Sequence, residues 1–109
     1  MKKTKKDRLK SAGWKFGSTT DFLDLSPEEV AFIEVKLALA QNLKKRRQSK
    51  RLTQTQLAKQ LKSSQSRVAK MEAADPTVSL DLLVRSLLEL GASTKDIARI
   101  IGSLSLASA

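Results

Sequence analysis

The sequence contains no cysteine and no histidine among its 109 residues. Without cysteine there is no disulfide, no thiolate nucleophile and no sulfur-rich zinc site. Without histidine the chain lacks the commonest general base and the commonest metal ligand. A carboxylate pair for acid–base catalysis is not evident either, because the acidic residues are scattered over helix starts and loops. We therefore expect a protein that is not an enzyme and that uses no metal and no cofactor.

Long apolar runs are also missing. No stretch approaches the roughly 20 consecutive apolar residues of a membrane-spanning helix. Residues 1–15 contain no apolar segment of about 7–15 residues, as a secretory signal would. At 109 residues the chain has the length of one domain with tails, and its small core makes help from a partner subunit plausible. These features favour a cytoplasmic location.

Acidic residues are scarce relative to basic ones. The chain carries 21 Lys and Arg against 11 Asp and Glu, which gives a net charge of +10. Residues 43–72 hold ten basic residues and one acidic residue, so this segment alone carries +9. Such a concentration indicates a polyanionic partner, either nucleic acid or an anionic membrane surface. The segment lacks the apolar face of an interfacial helix and the aromatics that stack on RNA bases, which favours DNA over both alternatives.

Helix start and stop signals predict an all-α fold of about five helices. The sequences Ser26-Pro27-Glu28-Glu29 and Thr53-Gln54-Thr55-Gln56 are capping boxes. Ser64, Ser79 and Ser93 are further N-cap candidates. Gly91 and Gly102 are expected to end the last two helices. The predicted helices cover approximately residues 27–50, 54–61, 65–72, 80–90 and 94–101.

Composition divides the rest of the chain. Residues 1–12 are predicted to be a basic disordered arm, either a solubilising tail or an arm that follows phosphates. Residues 13–25 form an apolar and acidic segment before the first helix. Residues 26–102 are expected to form the folded domain, and residues 103–109 a flexible tail.

The predicted first helix carries apolar residues on two opposite sides. A helix of about 24 residues is roughly 36 Å long, more than one small domain covers on both sides, so part of it is expected to pack on another chain. The apolar residues of the last two helices are expected either to contact another chain or to pack only in the core. Trp14 and Phe16 are expected either to contact another chain or to anchor their segment within this one. The candidates for contact with a second copy or another partner are Val30, Ile33, Leu37, Leu82, Leu88, Trp14 and Phe16.

Residues 54–71 have the pattern of two short helices that cross at a tight turn. Ala58 is small where the helices approach each other. The outward positions of the second helix are uncharged or basic, and no carboxylate occurs before Glu72. The positions that such a crossing buries are Leu57, Leu61, Val68 and Met71.

On these residues the chain resembles the Cro and phage-repressor (Xre-type) helix-turn-helix family, over about residues 39–91. The shared motif is Leu52-Thr53-Gln54-x-x-Leu57-Ala58, followed by Ser64-Gln65-Ser66-x-Val68-Ala69-x-Met71-Glu72. The resemblance implies a lambda-repressor-like fold with a long N-terminal helix and a helix-turn-helix at residues 53–72. It implies that the second helix enters the major groove of double-stranded DNA. The implied base contacts are Ser64, Gln65, Ser66 and Lys70, and Gln54 is implied to bind a phosphate.

The resemblance also assigns structural roles and shows two departures. Arg47 and Glu72 are implied to form an internal salt bridge. Lys62 and Arg51 stand where the family usually has glycine, and a left-handed Lys62 would cost about 1 kcal/mol relative to glycine. Further phosphate contacts are predicted from the basic residues around the motif, each with a solvated surface as its alternative: Lys44, Lys50, Arg51, Lys59, Lys62 and Arg67.

These features predict a sequence-specific repressor that binds its operator as a homodimer and associates with the nucleoid. A narrower resemblance, to HigA-like antitoxins, rests on the segment from Gly13 to Glu29. It implies neutralisation of a basic RelE-like ribonuclease toxin and autoregulation of the operon that encodes both proteins. The charge of −4 over residues 16–42, from one basic and five acidic residues, suits a basic partner. The alternatives are a free-standing phage-type or chromosomal repressor, and a basic protein-interaction module that binds nucleic acid only nonspecifically.

Overall fold

The computed structural model describes residues 24–108, with side chains described as far as Leu104. The predictions for residues 1–23, including Trp14 and Phe16, lie outside the described residues. The described part of the chain is all-α and contains no strand, as predicted. Its five helices are α1 (Pro27–Ser49), α2 (Gln54–Gln60), α3 (Gln65–Glu72), α4 (Leu80–Glu89) and α5 (Thr94–Ser108). No described helix is long and apolar enough to cross a membrane.

Each helix is preceded by a hydroxyl residue, its N-cap, whose side-chain oxygen accepts a hydrogen bond from the backbone N–H three residues on. The two predicted capping boxes, at Ser26 and Thr53, are confirmed. A third reciprocal pair joins Ser93 and Asp96, where the Ser93 N–H donates to the Asp96 carboxylate at 2.9 Å. Local hydrogen bonding therefore fixes where all five helices start.

The cap at α5 makes stability depend on acidity. Hydrogen bonds from the backbone and side chain of Ser93, together with the charges of Arg46 and Arg99, lower the pKa of Asp96 below its ordinary value of 3.8. A lowered carboxyl pKa stabilises the fold at pH values above the ordinary pKa, and this stabilisation is lost as the pH falls through the folded value. Asp96→Asn should therefore destabilise the protein near neutral pH and progressively less in acid. Urea unfolding across the acidic range measures this, and a pH-independent difference would contradict it.

Two positions after the last residue of α1, α2 and α3, a residue other than glycine adopts the left-handed backbone conformation. Arg51, Lys62 and Ala74 have φ of 57°, 55° and 54°, and Gly91 after α4 has φ of 97°. The left-handed conformation considered for Lys62 is thus present, and Arg51 shares it. Ala74 was not anticipated; it is fully buried beneath the end of α3. Strained backbone conformations therefore occur just before the helix-turn-helix, in its turn and just after it, and glycine at these positions would relieve the strain.

Lys62→Gly should raise the free energy of unfolding by about 1 kcal/mol relative to Lys62→Ala. Both substitutions remove the same charge from an exposed turn position, but only glycine relieves the left-handed strain. Urea unfolding of the two variants measures the difference. Equal stability would show that the turn carries no strain.

The core forms around α1, which packs against α3, α4 and α5, while α2 packs against α3. The two apolar sides predicted for α1 do not face separate surfaces, because Ile33 and Ala40 from one and Leu39 and Leu43 from the other are buried in one core. Ile33 is thus a core residue, which corrects its assignment to an interface. Phe32 on the same helix, in contrast, has 51% of its surface exposed.

A lysine lies among these core residues. Lys36 on α1 is only 4% exposed, although sequence reasoning gave it no role. Burial lowers the pKa of Lys36, and the nearby negative charge of Asp75 opposes that shift.

Helix α5 is longer than predicted. It continues through Gly102 to Ser108, so the expected stop at Gly102 is wrong, whereas the flexibility of residues 103–109 stays a prediction. Glycine inside a helix costs about 1 kcal/mol relative to alanine but does not by itself end the helix. The start of α5 is joined to the end of α1 by an ion pair between Arg46 and Asp96 at 3.2 Å.

Candidate nucleic-acid interface

Helices α2 and α3 form the helix-turn-helix. Leu57 and Ala58 of α2 are buried against Val68 and Met71 of α3, as the pattern predicted, and Leu61 at the turn is half-buried. The chain reverses at Lys62 and Ser63, where the Ser63 N–H donates to the Ala58 carbonyl at 2.8 Å. This packing holds α3 by one face and leaves the opposite face at the surface.

The exposed face of α3 carries the four residues predicted to contact bases. Ser64, Gln65, Ser66 and Lys70 are all exposed. At 100° per residue, Ser66 and Lys70 lie opposite the buried Val68 and Met71, and Gln65 lies at the N-terminal edge. The structure therefore places Ser66 and Lys70 on the exposed face of α3, and Ser64 and Gln65 at its N-terminal end.

The loop after α3 adds a second wall to this surface. Residues 73–79, which we call the exit loop, contribute Thr77 and Val78 to a shallow groove of about 270 Å³ beside the exposed side of α3. Asp75 shapes the loop, because one of its carboxylate oxygens accepts hydrogen bonds from the Thr77 N–H at 2.9 Å and the Thr77 hydroxyl at 2.6 Å. This interface groove is lined by Ser64, Ser66, Arg67, Lys70, Thr77 and Val78.

The predicted helices leave residues 73–79 outside any helix, and sequence reasoning gave the side chains of this segment no part in the site. Asp75-Pro76-Thr77 carries a recognisable turn signal, because an aspartate commonly accepts a hydrogen bond from the N–H two residues on. That signal predicts the local turn. It does not predict that the turn faces α3, which depends on tertiary packing.

A chain of hydrogen bonds connects the core to the first residue of α3. Arg47 and Glu72 form the predicted salt bridge, with 12% and 4% of their side chains exposed, and Arg47 also donates to the Leu52 carbonyl at 2.8 Å. The Gln54 amide nitrogen donates to Glu72 at 3.1 Å. The Gln65 amide nitrogen then donates to the Gln54 side-chain oxygen at 2.7 Å. We call these four side chains, Arg47, Glu72, Gln54 and Gln65, the polar relay.

The polar relay fixes which way each amide points. An ionised carboxylate only accepts hydrogen bonds, so Gln54 must turn its NH2 group toward Glu72 and its oxygen toward Gln65. Gln65 must then turn its own NH2 group toward Gln54. The oxygen of Gln65 and one remaining N–H are therefore available on the exposed side of the helix.

The helix N-termini differ in their charge. The first turns of α1, α4 and α5 contain acidic residues, whereas the first turns of α2 and α3 contain none. A carboxylate in the first turn offsets the partial positive charge at a helix N-terminus. The two helices of the helix-turn-helix keep that positive end uncompensated by acidic residues of their own first turns, which suits phosphate groups.

Comparison with protein families agrees with this geometry. A family model described as a helix-turn-helix domain matches residues 22–98, which is more than half of the chain. The chain is a member of this helix-turn-helix family. The match supports a regulator whose partner is DNA. No curated protein and no solved structure matches the chain.

The basic residues of the helix-turn-helix domain are spread over more than one surface. All six predicted phosphate contacts outside Gln54 are exposed: Lys44, Lys50, Arg51, Lys59, Lys62 and Arg67. Arg67 reaches the interface groove and also lines a second groove of about 280 Å³ with Lys62, Arg85 and Glu89. The Lys50 ammonium nitrogen, in contrast, lies near Gly91, about 3.9 Å from where a Cβ on that residue would be. Gln54 already bonds within the polar relay, and its phosphate contact stays a prediction.

The predicted interface residues are also dispersed. Val30, Leu37 and Leu82 are half-buried, and Leu88 is exposed. Phe32 and Ile101 are exposed apolar residues that were not among the predicted contacts. Within residues 24–108 no cluster of three or more metal-ligating side chains is found.

Proposed function

We propose that this protein is a sequence-specific transcriptional repressor that binds operator DNA as a homodimer and performs no catalysis. Two copies of α3 would enter successive major grooves, about 34 Å apart, on a pseudo-palindromic site. The observation that carries the proposal is the exposed, carboxylate-free face of α3, with its first side chain held in a fixed orientation by the polar relay.

The orientation of Gln65 favours adenine at its position. Adenine presents an N6 donor and an N7 acceptor in the major groove, which match the free oxygen and the remaining N–H of Gln65. Guanine presents two acceptors, O6 and N7, so the Gln65 oxygen would face another oxygen. Lys70, a donor without acceptor atoms, suits the guanine acceptors or a phosphate.

A homodimer is supported by the small size of the α3 surface proposed to contact bases and by exposed apolar residues. A helix of eight residues contacts only a few base pairs, and pairing two copies multiplies affinity and selectivity. Phe32, Leu88 and Ile101 expose apolar area that a second copy could bury.

We also propose that the protein is the antitoxin of a toxin-antitoxin pair. It is supported by the resemblance of residues 13–29 to HigA-like antitoxins and by the net charge of −4 over residues 16–42, which suits a basic RelE-like toxin. A small basic protein encoded next to this chain would support it. The absence of such a neighbour would favour the free-standing repressor.

A gel-shift assay with matched variants tests the DNA-binding proposal. The parent chain, a Gln65→Ala/Lys70→Ala variant and a Gln41→Ala/Lys95→Ala control are titrated against the chain's own promoter fragment and a scrambled fragment over a range of salt concentrations. The control removes the same two side-chain types from exposed positions on α1 and α5. We expect the parent and the control to prefer the promoter, and the α3 variant to lose that preference while retaining weak nonspecific binding.

The same assay can contradict the DNA-binding proposal. Equal binding of the parent to both fragments, unchanged by either pair of substitutions, would overturn the repressor proposal. It would leave a basic protein-interaction module that binds nucleic acid through charge alone.

A further inference from the structure

A second groove lies where the turn of the helix-turn-helix approaches α4. This groove, which we call the turn groove, has a volume of about 280 Å³. At its base lie the buried residues Met71 of α3 and Ser86 of α4, and the Ser86 hydroxyl donates to the Met71 sulfur at 3.5 Å. Arg67 lines both the turn groove and the interface groove. The two grooves therefore adjoin along α3.

Cationic side chains outnumber carboxylates around the turn groove. Lys62 of the turn, Arg67 of α3 and Arg85 of α4 line it, together with one carboxylate, that of Glu89. Three positive charges against one negative charge leave a net charge of +2 on the lining residues. Such a groove attracts an anion, because a bound anion offsets the repulsion among the cations.

The described part of the chain does little to neutralise these cations. Among the side chains described as far as Leu104, no carboxylate lies within ion-pairing distance of Lys62 or Arg67. Arg85 pairs with Asp81 at 3.7 Å, but the two side chains are 75% and 78% exposed. An exposed pair of this kind contributes little and exchanges readily with another anion. All three cations are therefore available to a partner.

Lys62 supplies an independent indication that charge matters here. Its backbone is left-handed, with φ of 55°, and glycine would form the same turn without strain. The geometry of the turn thus gives no reason for a lysine at this position. The positive charge that it brings to the turn groove does.

The position of the groove relative to α3 favours the DNA backbone as the anion. At 100° per residue, Arg67 lies on the flank of the face formed by Ser66 and Lys70. A helix in the major groove has a phosphodiester strand on each side, so a flank of α3 faces phosphates when its outer face approaches bases. Arginine binds phosphate oxygens with two parallel hydrogen bonds.

We propose that the turn groove binds phosphates of the DNA strand along this flank of α3, and that Arg85 of α4 is a DNA contact outside the helix-turn-helix. The inference rests on the proposed DNA-binding function and adds to it a residue that sequence reasoning did not identify. Phosphate contacts are the same for every sequence, so the turn groove adds affinity and fixes the orientation of α3 without selecting bases.

The test compares three full-length chains: the parent, Arg85→Gln and Arg99→Gln. The two arginines are closely matched, because they are 75% and 77% exposed and each pairs with an aspartate about one helical turn earlier. Glutamine removes the charge and keeps a polar side chain. Circular dichroism and urea unfolding establish that each chain is folded, and gel shifts on the promoter and scrambled fragments are then measured over a range of salt concentrations.

We expect Arg85→Gln to bind both fragments about threefold to tenfold more weakly than the parent at low salt. The slope of log affinity against log salt concentration should become shallower by about 1, as for the loss of one phosphate contact. Arg99→Gln should stay close to the parent. Parental affinity and slope in Arg85→Gln, or an equal loss in Arg99→Gln, would overturn the proposal.

The assay separates this inference from the repressor proposal. If the parent does not prefer its promoter but Arg85→Gln weakens binding to both fragments, the repressor proposal fails and the phosphate site stands. If the parent prefers its promoter and Arg85→Gln behaves as the parent, the phosphate site fails and the repressor proposal stands. Binding of poly-L-glutamate that depends on Arg85, with DNA binding that does not, would assign the turn groove to an acidic protein segment and overturn the inference.

Nuclear magnetic resonance gives a second readout at the side chains themselves. Addition of a DNA duplex to the isotope-labelled parent should shift the Nε–Hε signals of Arg67 and Arg85, because phosphate oxygens would accept hydrogen bonds from these groups. The signal of Arg99 should move little. An unchanged Arg85 signal at saturating duplex would contradict a phosphate contact in the turn groove.

Discussion

Replacing Glu72 with alanine should lower the free energy of unfolding by about 3–5 kcal/mol, because it leaves Arg47 as a nearly buried charge without its carboxylate partner. It also removes the acceptor for Gln54. A small domain has only about 5–15 kcal/mol of stability in total, so the variant should be close to unfolding at physiological temperature. Urea or thermal unfolding followed by circular dichroism measures the effect.

A double substitution distinguishes loss of the pair from the cost of an orphaned charge. Arg47→Met/Glu72→Met replaces both members with apolar side chains, and such replacements of buried ion pairs are often neutral or stabilising. We expect the double variant to be more stable than Glu72→Ala alone, although the Leu52 carbonyl and Gln54 still lose their partners. A double variant as unstable as the single one would show that the orphaned arginine is not the main cost.

Replacing Ser64 with aspartate should weaken DNA binding by about tenfold to a hundredfold while leaving the fold nearly unchanged. Aspartate and serine are similarly good N-cap residues, so the bond from the Arg67 N–H can be kept. The new charge, however, lies at the N-terminus of α3, on the surface proposed to approach phosphates and bases. Repulsion between unit charges within a few ångströms at a protein surface amounts to about 1–4 kcal/mol.

Ser93→Asp provides the matched control for this prediction. It makes the same cap substitution and the same charge change at α5, where Arg46 and Arg99 lie beside Asp96. Salt titrations of both variants on the promoter fragment should show the loss for Ser64→Asp and at most a small change for Ser93→Asp. Equal losses would mean that overall charge, and not the position of α3, controls binding.

Much of the fold could be predicted because its signals are local. A hydroxyl residue followed by a helical pattern indicates a helix start, and this chemistry depends on three or four neighbouring residues. The small Ala58 and the apolar residues around the turn predicted the crossing of α2 and α3 for the same reason. The pairing of Arg47 with Glu72 came from the family resemblance, since the two residues are 25 positions apart.

The features that could not be predicted depend on tertiary packing. Lys36 lies in a helix whose apolar residues suggested two separate sides, and only the placement of α3, α4 and α5 around α1 shows that it is buried. The sequence of the exit loop predicts its turn, but no local sequence pattern predicts that the loop lies beside α3. At Gly102 a local signal gave the wrong prediction: the glycine was expected to end α5, but the helix continues to Ser108.

The polar relay has a consequence for how the recognised sequence could change during evolution. The carboxylate of Glu72 can only accept hydrogen bonds, and it thereby sets the orientation of the Gln54 amide and, through it, of the Gln65 amide. If Gln65 contacts a base as proposed, Glu72 would limit which base pair is tolerated there without contacting DNA. Glutamine at position 72 can donate as well as accept hydrogen bonds, which would allow the side-chain amides of Gln54 and Gln65 to adopt the opposite orientation. On the proposed function, operators could then diversify at that base pair while every DNA-facing residue of the protein stayed the same.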